Sequence, residues 1–170
     1  LWGIFKKIVI SERLAIIANT VFNGYTEFNG INIIIGAIAF TLQLYTDFSG
    51  CIDIVIGSSE LFGIKLPENF NTPFFSKTIP EFWRRWHITL NKWFINYIYI
   101  PLGGSRKGKI RTYINIMIIF IISGLWHGAA WTYFIWGVLN GIYSCWYRIL
   151  DNDLKVVLEK FRKIFRLNPE

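Results

Sequence analysis

Apolar positions along this chain gather in long unbroken stretches instead of recurring with the period of a half-buried soluble helix. Thr112 to Tyr147 runs for 36 residues without an Asp, Glu, Lys or Arg, and Phe28 to Thr46 for 19. A helix that crosses a hydrocarbon core of roughly 30 Å needs about 20 mostly apolar residues. The longer stretch therefore has room for two passes and the shorter for one. Ile31 to Tyr45 reads as the first span, with the polar run Tyr45 to Gly50 at its end, and Cys51 to Ile64 as a shorter apolar segment carrying Asp53 and Glu60. Leu1 to Phe22 is amphipathic at best, broken by Lys6, Lys7, Glu12 and Arg13, and reads as an interfacial helix or one packed in a bundle.

Pro67, Pro73 and Pro80 punctuate the next stretch, and each removes a backbone donor and disfavours helix in the residue before it. The pattern predicts a loop at the membrane surface, then an interfacial helix over Glu81 to Ile100, where Trp, Tyr and Phe alternate with Arg84, Arg85 and Lys92. Pro101, Gly103, Gly104 and Ser105 predict a turn; their spacing matches neither a P-loop nor a dinucleotide fingerprint. Beyond it the 36-residue stretch predicts a helical hairpin that bends near Gly124 to Gly128. Residues 151–170 read as a basic amphipathic cytoplasmic tail with Lys155, Lys160, Arg162, Lys163 and Arg166. The expected organisation is a helical core over 1–150 followed by this tail.

Composition supports a membrane setting: 53% of residues are hydrophobic and 17% charged, against roughly 25% charged in soluble domains. The net charge of +7 lies mostly outside the apolar stretches, as positive cytoplasmic loops beside spans require. Basic clusters that alternate with segments too apolar for water argue against a nucleic-acid partner. Cys51 and Cys145 lie apart in apolar settings without a CxxC partner, so neither a disulfide framework nor a metal site is indicated. The chain opens on Leu1, and further sequence is expected before it.

Both ends of the hairpin are basic, which places both on the cytoplasmic side and the bend deeper. Fifteen helical residues from Thr112 to Trp126 rise about 22 Å, short of the hydrocarbon thickness, so His127 falls inside the membrane toward its far side. An imidazole there must be paired or face a water-filled cavity, and an intramembrane ionisable residue is a functional candidate. The alternative is a neutral histidine bonded to a carbonyl that serves only packing. His87, the other histidine, follows Trp83, Arg84, Arg85 and Trp86 on the aromatic segment. No Gly-x-Ser-x-Gly elbow is present, and Lys92 and Thr132 stand where a His-x-x-x-x-Asp arrangement needs Asp. A neutral imidazole can instead take the proton from an attacking hydroxyl, with Trp126, Asn91, Asn96 or the backbone amides beside Gly128 as donors to the oxyanion.

The run Phe82-Trp83-Arg84-Arg85-Trp86-His87-Ile88-Thr89-Leu90, then Tyr97-Ile98-Tyr99-Ile100-Pro101-Leu102-Gly103-Gly104-Ser105-Arg106 and Gly124-Leu125-Trp126-His127-Gly128-Ala129, resembles the membrane-bound O-acyltransferase family. The likeness is strongest to its alginate O-acetylation branch, which Tyr45-Thr46-Asp47-Phe48-Ser49-Gly50 and Leu66-Pro67-Glu68-Asn69-Phe70-Asn71 also resemble. Ile95-Asn96 stands where that branch usually shows Arg-Asp, and Asn140 where a histidine is common.

The resemblance implies an all-α, polytopic enzyme of the cell membrane, of which this chain is part of the helical core. It implies transfer of an acyl group, most often acetyl, from a cytoplasmic donor such as acetyl-CoA or another activated carrier. The acceptor would be a hydroxyl of an exported polysaccharide, or a partner acting on it outside the cytoplasm. His127 is the implied catalytic histidine and His87 a second one; Trp126, Asn91, Asn96, Asp47, Tyr97 and Arg85 are the substrate or cavity candidates. No bound cofactor and no metal is implied. The rival readings are D-alanyl transfer to teichoic acid, a transporter whose histidine relays protons, and a silent membrane scaffold. The chain by itself is expected to be inactive.

Overall fold

A computed structural model describes residues 1–165, with side chains through position 154; Arg166 and the rest of 166–170 lie outside the described residues, as do the tail side chains Lys155, Lys160, Arg162 and Lys163. Every regular element among the described residues is helical. The chain forms two compact units, Leu1–Asn71 and Thr72–Glu170.

In the first unit, a short helix α1 (Trp2–Ile4), a π-helical segment (Phe5–Ser11) and α2 (Glu12–Asn23) pack along one long helix, α3 (Gly30–Leu61). The N-terminal segment thus packs against another helix, as the bundle alternative expected. The polar run at Tyr45 to Gly50, expected to end the first span, lies inside α3, which continues to Leu61. Its polar groups are absorbed by the packing. Lys7 Nζ lies 2.6 Å from Asp47, while Lys6 Nζ donates to Ser49 Oγ at 3.0 Å and reaches Asp53 at 2.8 Å. Gly3 and Gly50 permit this approach: a Cβ on Gly3 would come within 2.6 Å of the Gly50 carbonyl. Further along, Ala18, Val21 and Ala39 are buried, and a Cβ on Gly36 would strike Val21 at 2.7 Å.

The second unit starts with a 3-10 turn (Pro73–Phe75) and α4 (Ile79–Arg85), whose Thr78 cap accepts from the Glu81 amide at 3.2 Å. The single aromatic helix expected over Glu81 to Ile100 is broken into α4, α5 (Ile88–Phe94) and a π-helical turn (Ile95–Tyr99). The glycine turn follows, with Gly103 at φ +101° and Gly104 at φ +56°, conformations that side chains resist. Asn115, 0% exposed, donates to the Gly104 carbonyl at 2.9 Å and so pins this turn to the hairpin.

The hairpin itself forms as expected. Helix α6 (Lys109–His127) ends at the histidine, and α7 (Trp131–Phe165) returns against it, running past position 150 where the tail was expected to begin. The two helices meet on glycine: a Cβ on Gly137 would overlap the Phe120 carbonyl, one on Gly124 the Tyr133 carbonyl, and one on Gly141 the Met117 sulfur at 2.7 Å. Small residues that let backbones touch are how helices associate where burial of apolar surface gives no drive. Among the described residues, α3 and α6 are long and apolar enough to cross a membrane; α7, rich in Trp and Tyr, is not among them. Along α3, Ile31, Ile34, Ile35 and Ile38 are at least half exposed, a surface suited to hydrocarbon or further helices.

Candidate active site

His87 sits at the break between α4 and α5, with φ +44°. A left-handed conformation is uncommon for a residue with a Cβ, and it persists only where the surroundings hold it. Asn91, one turn into α5, supplies the hold. Its side-chain amide donates to the carbonyls of Trp83 at 2.7 Å and Trp86 at 2.6 Å, and at 3.4 Å to His87 itself. The Trp83 and Trp86 carbonyls lie at the end of α4, where no further turn of helix would satisfy them, while that of His87 also accepts from the Asn91 backbone amide at 3.1 Å. The chain therefore stops, reverses its dihedral at His87 and begins a new helix.

The second histidine closes α6. A Cβ on the following Gly128 would press the Tyr133 ring at 2.7 Å, so glycine lets the hairpin turn tightly beside it. The His127 ring packs edge-on to Trp136 (centroids 5.4 Å), lies roughly parallel to Tyr133 (6.2 Å) and meets Trp126 at 5.0 Å. Trp126 also contacts His87, at 6.4 Å. One indole thus touches both imidazoles. Trp83 ties α4 to the hairpin by edge contacts with Phe120 at 5.2 Å and Trp136 at 6.0 Å. Burial, and secondarily the proximity of His127, hold His87 below the ordinary histidine value of 6.5, so it is neutral at pH 7. His127 keeps an exposed surface beyond its ring contacts, and the Trp126 indole is 59% exposed. Two imidazoles and a largely exposed indole form a set able to accept a hydroxyl proton and to stabilise an oxyanion.

The remaining candidates fall in different places. The Asn91 amide donors are engaged by the three carbonyls, so it acts on the site through His87. Arg85 binds Glu81 at 2.6 Å and the Thr72 hydroxyl at 3.3 Å, which ties the start of this unit to α4. Asn96 is exposed, and Tyr97, 67% exposed, stacks against Trp93. Asp47 belongs to the first unit, paired with Lys7. Sequence reasoning missed Tyr133 and Trp136 as the rings that seat His127, and Trp83 as the ring behind Trp136; aromatic residues are so frequent here that none stood out.

Residues 5–147 match the membrane-bound O-acyltransferase family. The chain belongs to that family. This O-acyltransferase segment is 46% identical over 140 residues to a peptidoglycan O-acetyltransferase of Helicobacter pylori, covering 82% of this chain and 27% of the relative. It is 44% identical over 151 residues to "Probable alginate O-acetylase AlgI" of Pseudomonas putida, covering 89% of this chain and 31% of that protein. A teichoic acid D-alanyltransferase of Bacillus subtilis is more distant, at 34% over 119 residues, covering 66% of this chain and 30% of the relative. The chain spans about 30% of the length of these curated relatives. Both histidines and the indole between them lie within the matched span. The family is membrane-bound, and every regular element among this segment's described residues is helical.

Proposed function

We propose that this chain supplies the histidine centre of a multi-pass plasma-membrane enzyme that transfers an acyl group, acetyl by preference, to a hydroxyl of an exported cell-surface polysaccharide. The observation that carries the reading is the pair His87 and His127 on one indole, with His87 held in a strained conformation by a dedicated clamp. Strain kept in place by three hydrogen bonds is what a positioned functional residue requires, and a packing histidine does not.

In this reading the His127 imidazole accepts the acceptor hydroxyl's proton as its oxygen attacks the thioester carbonyl of acetyl-CoA or another activated carrier. The Trp126 N–H donates to the oxyanion in this reading. When the tetrahedral intermediate collapses, the carbon–sulfur bond breaks and the imidazolium returns its proton to the departing thiolate. His87, neutral at pH 7, orients the donor. The greater likeness to O-acetyltransferases supports acetyl over D-alanyl transfer. The partner outside the cytoplasm is the polysaccharide itself or a second acyltransferase that hands the group on.

The test is to express the complete protein and its His127→Ala form and to measure ester-linked acyl groups on the surface polymer. We expect a fall of at least ~10²-fold at equal protein abundance, the range general-base removal produces. Undiminished acylation would rule the reading out and leave the scaffold or transporter.

A further inference from the structure

Away from the two histidines, the second unit holds a cavity of about 500 Å³ between α4, α5, α6 and α7. Its walls are largely apolar, with Trp83, Ile95, Ile119 and Phe120 among them. Three cations from three helices, Arg84, Lys92 and Arg148, also line it, and no acidic side chain does. Among the described residues none of the three forms an ion pair; Glu81, the acid on α4, is engaged by Arg85.

We infer that this cavity binds an anionic glycerophospholipid: its phosphate sits among Arg84, Lys92 and Arg148, and its chains follow the apolar wall. Three unpaired cations suit a phosphate, and the volume lies in the range of small-molecule sites of roughly 300–1,000 Å³. A phosphate-bearing acyl donor shares some of this chemistry, but His87, Trp126 and His127 are absent from the lining, and a donor must present its acyl group to them. The inference is independent of the acyl-transfer reading. Its consequence for the site is mechanical, since Asn91 and Trp83 line the cavity and also hold the His87 turn and the hairpin.

Native mass spectrometry of the complete protein, purified from vesicles of phosphatidylcholine with one-fifth phosphatidylglycerol, tests it. The wild type should retain one phosphatidylglycerol. In R84Q/K92Q/R148Q the bound fraction should fall at least tenfold, while any retained phosphatidylcholine stays unchanged. Retention of phosphatidylglycerol equal in wild type and variant, or no retained lipid, overturns the proposal. So does displacement of the lipid from wild type by acetyl-CoA, which would assign the cavity to the donor. The His127→Ala protein should retain the lipid normally, so a failed acyl-transfer reading would leave this result untouched.

Discussion

The two units treat polar groups in an apolar setting in opposite ways. In Leu1–Asn71 they are charged and neutralised in place, as Lys6 against Asp53 and Ser49 and Lys7 against Asp47, with the helices drawn together by Gly3 and Gly50. Along the α6–α7 seam of the second unit they are uncharged, and the seam is glycine against carbonyl, with the His127 imidazole packed on aromatic rings and that of His87 reaching it through Trp126. The first arrangement satisfies its polar groups by pairing and is structural. The second holds groups in position with chemistry left to do. Buried charge is tolerable when paired, whereas a reactive imidazole must keep a nitrogen available.

The sharpest way to break this contrast is at the glycine seam. Gly137→Val would place side-chain atoms on the Phe120 carbonyl, backbone that cannot yield, and the whole hairpin would have to open. We expect loss of the folded hairpin, a destabilisation above ~3 kcal/mol, beyond the usual cost of overpacking. Gly57, with nothing within 4 Å of its Cβ position, is the control: Gly57→Ala should stay within ~1 kcal/mol of wild type and stabilise if anything. Unfolding in detergent micelles measures both.

The clamp comes next. Asn91→Ala strips hydrogen bonds from carbonyls at a helix end and frees His87 to leave φ +44°. A loss of about 1–3 kcal/mol is expected from the unsatisfied groups. Acyl transfer should fall by more than stability alone explains, because the histidine relaxes. If the folded Asn91→Ala protein keeps full kcat, the left-handed turn is packing and not positioning.

How much of this was legible beforehand follows the same division. The hairpin, its bend beside His127 and the glycine turn at 103–104 were read correctly because an uncharged stretch between basic flanks, and Pro-Leu-Gly-Gly, are local signals. The break at His87 was not, since the deciding hydrogen bonds come from Asn91 and nothing in Trp-Arg-Arg-Trp-His-Ile-Thr-Leu-Asn stops a helix by propensity. The continuity of α3 through Asp47 was missed for the converse reason. A Tyr-Thr-Asp-Phe-Ser-Gly run looks like a helix end until lysines 40 residues or more away in sequence cancel its charge. The family motifs marked His87, Trp126 and His127, while the rings that seat His127 carry no motif of their own.

In the first unit the buried pair is the more consequential. Lys6→Met would leave the Asp53 carboxylate and Ser49 unpartnered in a packed interface; Lys6 is 8% exposed, but Asp53 keeps about a third of its side chain in the open. That exposure discounts the cost to about 1–2 kcal/mol. The double change Lys6→Met with Asp53→Leu should recover most of it, since removing both partners removes the stranded charge. Failure of the double variant to recover would mean that the lysine's stem, not its charge, holds α3.

The smallest effect belongs to Lys7 and Asp47, each 43% exposed. Water competes for both groups, so Lys7→Gln should change stability by less than ~1 kcal/mol, and less in high salt. The sign with pH can still be worked out. The hydrogen bond to Asp47 raises Lys7 above its ordinary 10.5, so the folded state favours the charged lysine. Its contribution is fully present below that value and fades only as pH climbs through the raised one. Between pH 6 and 9 the wild type and Lys7→Gln curves should therefore run parallel, converging above about pH 10.5. Curves that converged already at neutral pH would show that some other group governs this end of the unit, and that its charges are not the self-contained pairs the packing indicates.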